Sequence, residues 1–242
     1  PTPMVIVPPR NYCIISNPVV RDAEGAPVKD KTGYKVRHGD EEVRLHQAPF
    51  PLYPGESLYG KVSPLQVVAP NTALKLRAIR DVKVDDKDIY AGDEWLFRGP
   101  GTYIPRVEVQ VVEIVRATII GPNQALRLRS KKDFGTRRTA EEWIVRTPGA
   151  FLPDVSEEIV ATLNAVILTD KKALHLRASR TFKDYYGKTR KAGEEWLVTK
   201  ELAEKHIPDV NEIVVGEVKI TSLNAHQYCV VLDPINPDTG KP

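Results

Sequence analysis

Apolar and charged residues alternate strictly in three short stretches of the chain. In Ala73-Leu74-Lys75-Leu76-Arg77 the two leucines fall on one face and the two cations on the other. The same order returns in Ala125-Leu126-Arg127-Leu128-Arg129 and in Ala173-Leu174-His175-Leu176-Arg177. Period-2 alternation is the signature of a half-buried strand, so Leu74, Leu76, Leu126, Leu128, Leu174 and Leu176 are expected in a core. A second strand follows each of them: Glu94-Trp95-Leu96-Phe97, Glu142-Trp143-Ile144-Val145 and Glu195-Trp196-Leu197-Val198. Here both faces are apolar, which predicts two covers, one from the strand's own unit and one from the next. Trp95, Trp143 and Trp196 are expected to be equivalent and largely buried. A proline signature then closes each copy, around Pro105, Pro153 and Pro208.

Three markers in one order at a spacing of about 50 residues define a tandem array. A divergent copy precedes them, with Asn11-Tyr12-Cys13-Ile14-Ile15 at the leucine position and Leu52-Tyr53-Pro54-Gly55-Glu56 near the proline position. It lacks the tryptophan, because Gly39-Asp40-Glu41 runs into Glu42-Val43. Gln227-Tyr228-Cys229-Val230-Val231 reads as the opening of one more copy, so the chain reads as a piece of a longer array. The expected units are residues 1–63, 64–115, 116–163 and 164–218, with 219–242 beginning another. Between the strands lie charged segments with turn chemistry, such as Asp133-Phe134-Gly135 and Asp184-Tyr185-Tyr186-Gly187, read as hairpins with variable tips. Helix is expected to be scarce, with 200–205 the one candidate turn of it. The β-branched run 109–120 leads into the next copy without a flexible linker. The fold class is therefore all-β: a tandem array of small antiparallel sheet domains, stacked into a rod because a unit this small buries too little surface alone.

Composition narrows the function. A chain with 41% hydrophobic and 28% charged residues is an ordered globular one. No run approaches the roughly 20 apolar residues of a membrane span. Cys13 and Cys229 occupy one slot of two copies, the slot held by leucine elsewhere, so both read as small buried hydrophobes rather than a disulfide. The acidic pairs at 93–94, 141–142 and 194–195 sit on neighbouring strand positions that face opposite ways, and so cannot converge on one substrate. Five histidines show no zinc spacing, and no phosphate-binding or nucleophile-elbow motif occurs. No enzyme activity, cofactor or metal site is expected. Asp85-Asp86-Lys87-Asp88 lacks the glycine and closing glutamate of a calcium loop and reads as a hairpin tip.

A basic run is the competing binding signal. Arg127, Arg129, Lys131, Lys132, Arg137 and Arg138 stand against the single acid Asp133, and the next hairpin adds further cations with Phe182, Tyr185 and Tyr186 interleaved. Such a mixture suits single-stranded nucleic acid. A net charge of only +3 and the absence of a recognised RNA-binding signature favour a solvated or partner-facing surface instead.

The ordered set ALxLR, GEEWLV or GDEWLF, GTYIP and IVRATII, with PPRNYC and PLYPGE in the first copy, resembles the N-terminal repeats of the vault protein family across essentially the whole chain. The resemblance implies a structural role. In that family identical chains lie side by side as staves of a hollow ribonucleoprotein shell, with the repeats as barrel wall, in the cytoplasm and secondarily the nucleus. It implies copies of the same chain as partners, and a vault poly(ADP-ribose) polymerase as a further one. A non-enzymatic scaffold that docks a soluble partner or RNA is the alternative. Arg129, Arg177, Glu142 and Glu195 are the candidate inter-chain contacts, with Glu94 and Asp154 as further acidic candidates.

Overall fold

The computed structural model describes residues 4–31, 33–84 and 86–232. No helix occurs among them, and the sheets are small and antiparallel. Four three-stranded sheets are built alike. Each places the alternating strand in the centre: Met4–Ser16, Thr72–Ala78, Gln124–Ser130 and Lys172–Ala178. One edge is the strand that follows the hairpin, Glu41–Pro51, Glu94–Arg98, Glu142–Val145 or Glu195–Val198. The other edge is the exit strand, Ser57–Pro64, Val109–Arg116, Glu157–Asn164 or Glu212–Lys219.

The register repeats with the sequence. Leu76 faces Trp95, Leu128 faces Trp143 and Leu176 faces Trp196, each two residues from a leucine that faces Phe97, Val145 or Val198. All six leucines are at most 2% exposed. Val68, Tyr103 and Val109 complete the core of the second sheet, and Leu168, Ala178, Trp196 and Val198 that of the fourth. The exit strand is bulged at one corresponding place, Val112 in the second repeat and Val215 in the fourth, where pairing skips a residue. A bulge on an open edge strand twists it and discourages uncontrolled pairing.

Each unit passes to the next with no linker. Directly after the exit strands, the N–H groups of Ala117, Ala165 and Ile220 bond the carbonyls of Asn71, Asn123 and Lys171, 2.8–2.9 Å away. The hairpin arms are present as Val82–Val84 with Lys87–Ile89, as Phe182–Lys183 with Thr189–Arg190, and as the single bridge Phe134–Arg137. Residues 199–203 form a turn closed on the Thr199 carbonyl, not a helix. Of the proposed acidic tip, Asp86 sits in the turn and Asp85 lies outside the described residues.

On the face of the tryptophan strand away from the leucine core, Leu96 and Ile144, whose repeats are followed by another, are half-buried, while Leu197, with no further sheet after its repeat among the described residues, is 49% exposed. Two expectations are corrected. The three tryptophans are equivalent in register but not in burial, with Trp196 8% exposed while Trp95 and Trp143 are only half-buried. Cys13 is fully buried in its central strand, but Cys229 is exposed, because residues 220–232 form no strand and bring no sheet to cover the slot. Both thiols are free.

The first repeat reaches the same sheet with different chemistry. Its Cys13 and Ile15 stand where the leucine pair stands, but across from them lie Arg44 and Glu42 in place of the Phe97 and Trp95 positions. The Arg44 guanidinium is held by Glu42 at 2.9 Å and by Glu56 at 2.8 Å, and stacks 4.9 Å above the Phe50 ring. Glu56 is wholly buried and also accepts the backbone N–H groups of Val19 and Tyr53. Burial alone raises its pKa, yet those two amides and Arg44 outweigh it and hold the carboxyl below its ordinary value.

Candidate functional site

In the second, third and fourth repeats, the side of the central strand opposite the leucines carries a ladder of charge. In the second repeat Glu94 accepts from Lys75 at 3.0 Å and from the Nε of Arg77 at 2.9 Å. In the third, Glu142 accepts from the Nε of Arg127 at 2.7 Å and of Arg129 at 2.9 Å. In the fourth, Glu195 meets His175 at 3.0 Å. The register explains the pattern: the glutamate faces the second cation directly, and the first cation lies two residues along on the same face. Hydrogen bonds from Arg77, and then from Lys75, hold the Glu94 carboxyl below its usual range. Arg129 leads the same effect on Glu142.

The candidate inter-chain residues therefore fall into two groups. Arg129 and Glu142 are paired with each other inside one repeat. Arg177 makes no ion pair among the described residues, and Glu195 is exposed beyond its contact with His175. Asp154 lies 3.6 Å from Arg98 of the preceding repeat. The counterpart pair is Arg146 with Asp209, at 3.0 Å. Each joins the arginine at the end of a tryptophan strand to the aspartate after the next signature proline. Pro105, Pro153 and Pro208 are all half-buried, the last two directly before the aspartates of these joints. A second tie in the last junction is Lys205, whose ammonium donates to the Pro122 carbonyl and to Asn123.

These joints were not among the residues singled out from the sequence. The available signal was the recurring arginine in EWLFR and EWIVR, but an arginine at a strand end has no assigned partner until the next repeat is placed. Half of the basic run is engaged, through Arg127, Arg129 and Arg137. Arg137 pairs with Glu141 and lies 3.9 Å above the Trp143 ring, and Arg190 pairs with Asp184 and Glu194 and lies 4.4 Å above Trp196.

Buried polar chemistry is concentrated in the fourth repeat. His206 Nε2 lies 2.7 Å from a Glu212 carboxyl oxygen, and its Nδ1 lies 2.8 Å from the Tyr186 hydroxyl. Burial, then the nearby Glu212 and Asp184 carboxylates, push the Tyr186 phenol up to about 12, so it stays a donor to His206. Here too the geometry is that of a structural clasp: Glu212 also accepts the Asp209 N–H that ends the proline signature. No group of three or more potential metal ligands occurs among the described residues. No helix there is long and apolar enough to cross a membrane.

Repeated sheets of one strand order, with charge ladders inside three of them and ion-paired joints, define a tandem β-repeat scaffold. Two family models match, both described as the Major Vault Protein repeat domain, one over residues 4–62 and the other over 66–106, 118–154 and 166–209. The chain is 58% identical over 98% of its length to human "Major vault protein", and 59% identical over its whole length to "Major vault protein alpha" of Dictyostelium discoideum. It is 57% identical over its whole length to the chicken protein. It spans 27–29% of the length of these three relatives. The chain belongs to the major vault protein repeat family.

Proposed function

We propose that this chain is wall material: a run of repeats that lies beside copies of itself to form the body of a vault-type ribonucleoprotein shell, with no catalytic role. The observation that carries this reading is the recurrence of one sheet four times with both edge strands left open, in a chain matched to vault repeats along most of its length. Identical units present identical edges at regular intervals. Many weak lateral contacts then sum along each chain, so none needs to be strong. The charges not consumed inside a repeat, Arg177 and Glu195 first, are the proposed lateral contacts. A cytoplasmic location is proposed with it, and a vault poly(ADP-ribose) polymerase as a further partner to be sought by pull-down.

The test is a chimera in which this chain replaces the corresponding segment of the Dictyostelium alpha relative. Closed hollow particles by electron microscopy are the expected result. A folded chimera that stays dispersed defeats the proposal.

A further inference from the structure

The second repeat departs from the third and fourth at two corresponding positions, and the departures meet in one place, beside Tyr103. The hairpin turn acids set the correspondence. Asp93, Glu141 and Glu194 each accept the N–H three residues earlier, from Tyr90, Arg138 and Lys191. One residue before those donors stand Ile89, Arg137 and Arg190. In the third and fourth repeats that arginine lies over the tryptophan and pairs with the turn acid. In the second repeat the residue is isoleucine, and no guanidinium covers Trp95.

The exit strand repeats the substitution of apolar for charged. Glu56, Glu157 and Glu212 accept the N–H of Tyr53, Asp154 and Asp209. The counterpart in the second repeat is Val109, whose own N–H bonds the Arg106 carbonyl. Tyr103 holds the position of His206, the clasp residue of the fourth repeat. With no glutamate near, its hydroxyl is buried without a hydrogen-bond partner, and burial raises its pKa.

What remains is a cavity of about 560 Å³, inside the range of small-molecule sites. Leu76, Trp95, Phe97, Tyr103 and Val109 supply apolar wall, with the Phe97 and Tyr103 rings 5.5 Å apart. Lys87 and Arg106 are its two charged lining residues; both are exposed, and neither makes an ion pair among the described residues. The wall selects an apolar, preferably aromatic body, and two unpaired cations select a negative group.

We infer that the second repeat holds a binding site for a small amphipathic anion, its ring system against Trp95 and Phe97 and its acidic group toward Lys87 and Arg106. The site needs no second chain, because every lining residue belongs to one repeat. It is also independent of the shell proposal.

The test uses 8-anilinonaphthalene-1-sulfonate and its uncharged analogue N-phenyl-1-naphthylamine, titrated against the whole chain. The sulfonate should bind at one site per chain, quenching Trp95. Lys87→Glu and Arg106→Glu should each weaken it about tenfold, the scale of one lost charge-assisted contact, and leave the uncharged analogue unaffected. Ile89→Arg should remove both probes while the chain stays folded by circular dichroism, since the equivalent positions hold arginine and Asp93 stands ready to pair with it. If Ile89→Arg leaves sulfonate binding intact, the probe sits on exposed sheet edges and the site is refuted. Equal loss of both probes on charge reversal refutes the anion preference. A wild-type dimer in sedimentation that Ile89→Arg dissociates would assign the cavity to a second copy instead. Should Ile89→Arg misfold, the two exposed charge reversals still decide the matter.

Discussion

Replacing Arg44 with methionine isolates the chemistry that lets the first repeat dispense with its tryptophan. Methionine keeps an apolar stem over Phe50 and removes the charge. Glu56 then remains wholly buried, with only the Val19 and Tyr53 amides to solvate it. Breaking a buried pair from one side costs about 3–5 kcal/mol, and the two surviving amides place this case near the lower end, about 3 kcal/mol. The dependence on pH separates this cause from lost packing. In the native chain the Glu56 pKa is depressed, so its contribution is present above the ordinary carboxylate pKa and is lost as pH falls through the native value. Without Arg44, burial dominates and raises that pKa, so the penalty of Arg44→Met should shrink as the solution is acidified toward about pH 5. Adding Glu56→Gln should restore at least half of the loss at neutral pH. Native-state hydrogen exchange at the amides of residues 13–16 is the suitable assay, because all three tryptophans lie in other repeats and their fluorescence is blind to this one. A neutral-pH loss below about 1 kcal/mol, or a loss that neither acid nor Glu56→Gln relieves, refutes the account.

The unequal burial of the tryptophans predicts that Trp196→Ala costs about 3–5 kcal/mol in urea denaturation, and Trp143→Ala distinctly less; the reverse order would contradict the packing. A Cβ at Gly99 would clash with the Ala69 carbonyl oxygen, so Gly99→Ala should destabilise the second repeat by about 1–3 kcal/mol, read as a lowered thermal midpoint. A double-mutant cycle on Arg146 and Asp209, both about a quarter exposed, should return a coupling of roughly 0.5–1 kcal/mol; zero coupling would remove the pair as a joint. Reversing Arg129 and Arg177 to glutamate in the shell-forming chimera should impair particle formation while costing this chain under about 1 kcal/mol; normal particles by electron microscopy would place both on a free surface.

The architecture was legible because its rules are local. Alternation fixes which face of a strand is buried, and repetition marks equivalent positions, so the leucine pairs could be assigned to a core from spacing alone, while their pairing with the tryptophans came only with the sheet register. The first repeat shows where this stops. Glu42 and Arg44 occupy apolar slots, and nothing adjacent reveals that Glu56, twelve residues on, closes the charge balance. Ion-paired joints escaped for the same reason, since Arg98 and Arg146 find their aspartates only across a repeat boundary. Leu197 is left exposed where Leu96 and Ile144 are half-buried because residues 220–232 form no sheet beside it, and an edge strand can leave one aliphatic residue in water at modest cost. Asp and Gly at the hairpin tips announced turns, yet the arginine-over-tryptophan stacks behind them needed the arms to be closed first.

The backbone bonds from Ala117, Ala165 and Ile220 back to Asn71, Asn123 and Lys171 close each unit at the same place. Central strands, tryptophan strands and closing bonds leave no room for a change in length. The hairpins with arms at 82–84 and 87–89, at 134 and 137, and at 182–183 and 189–190 differ in pairing from unit to unit, while the leucine–tryptophan register behind them does not. Evolution can thus lengthen or shorten the chain at a tip without shifting the phase of any later repeat. A foreign loop grafted there would inherit that freedom: the tip is a natural port for cargo tags or reporters, displayed by a scaffold whose beat is kept elsewhere.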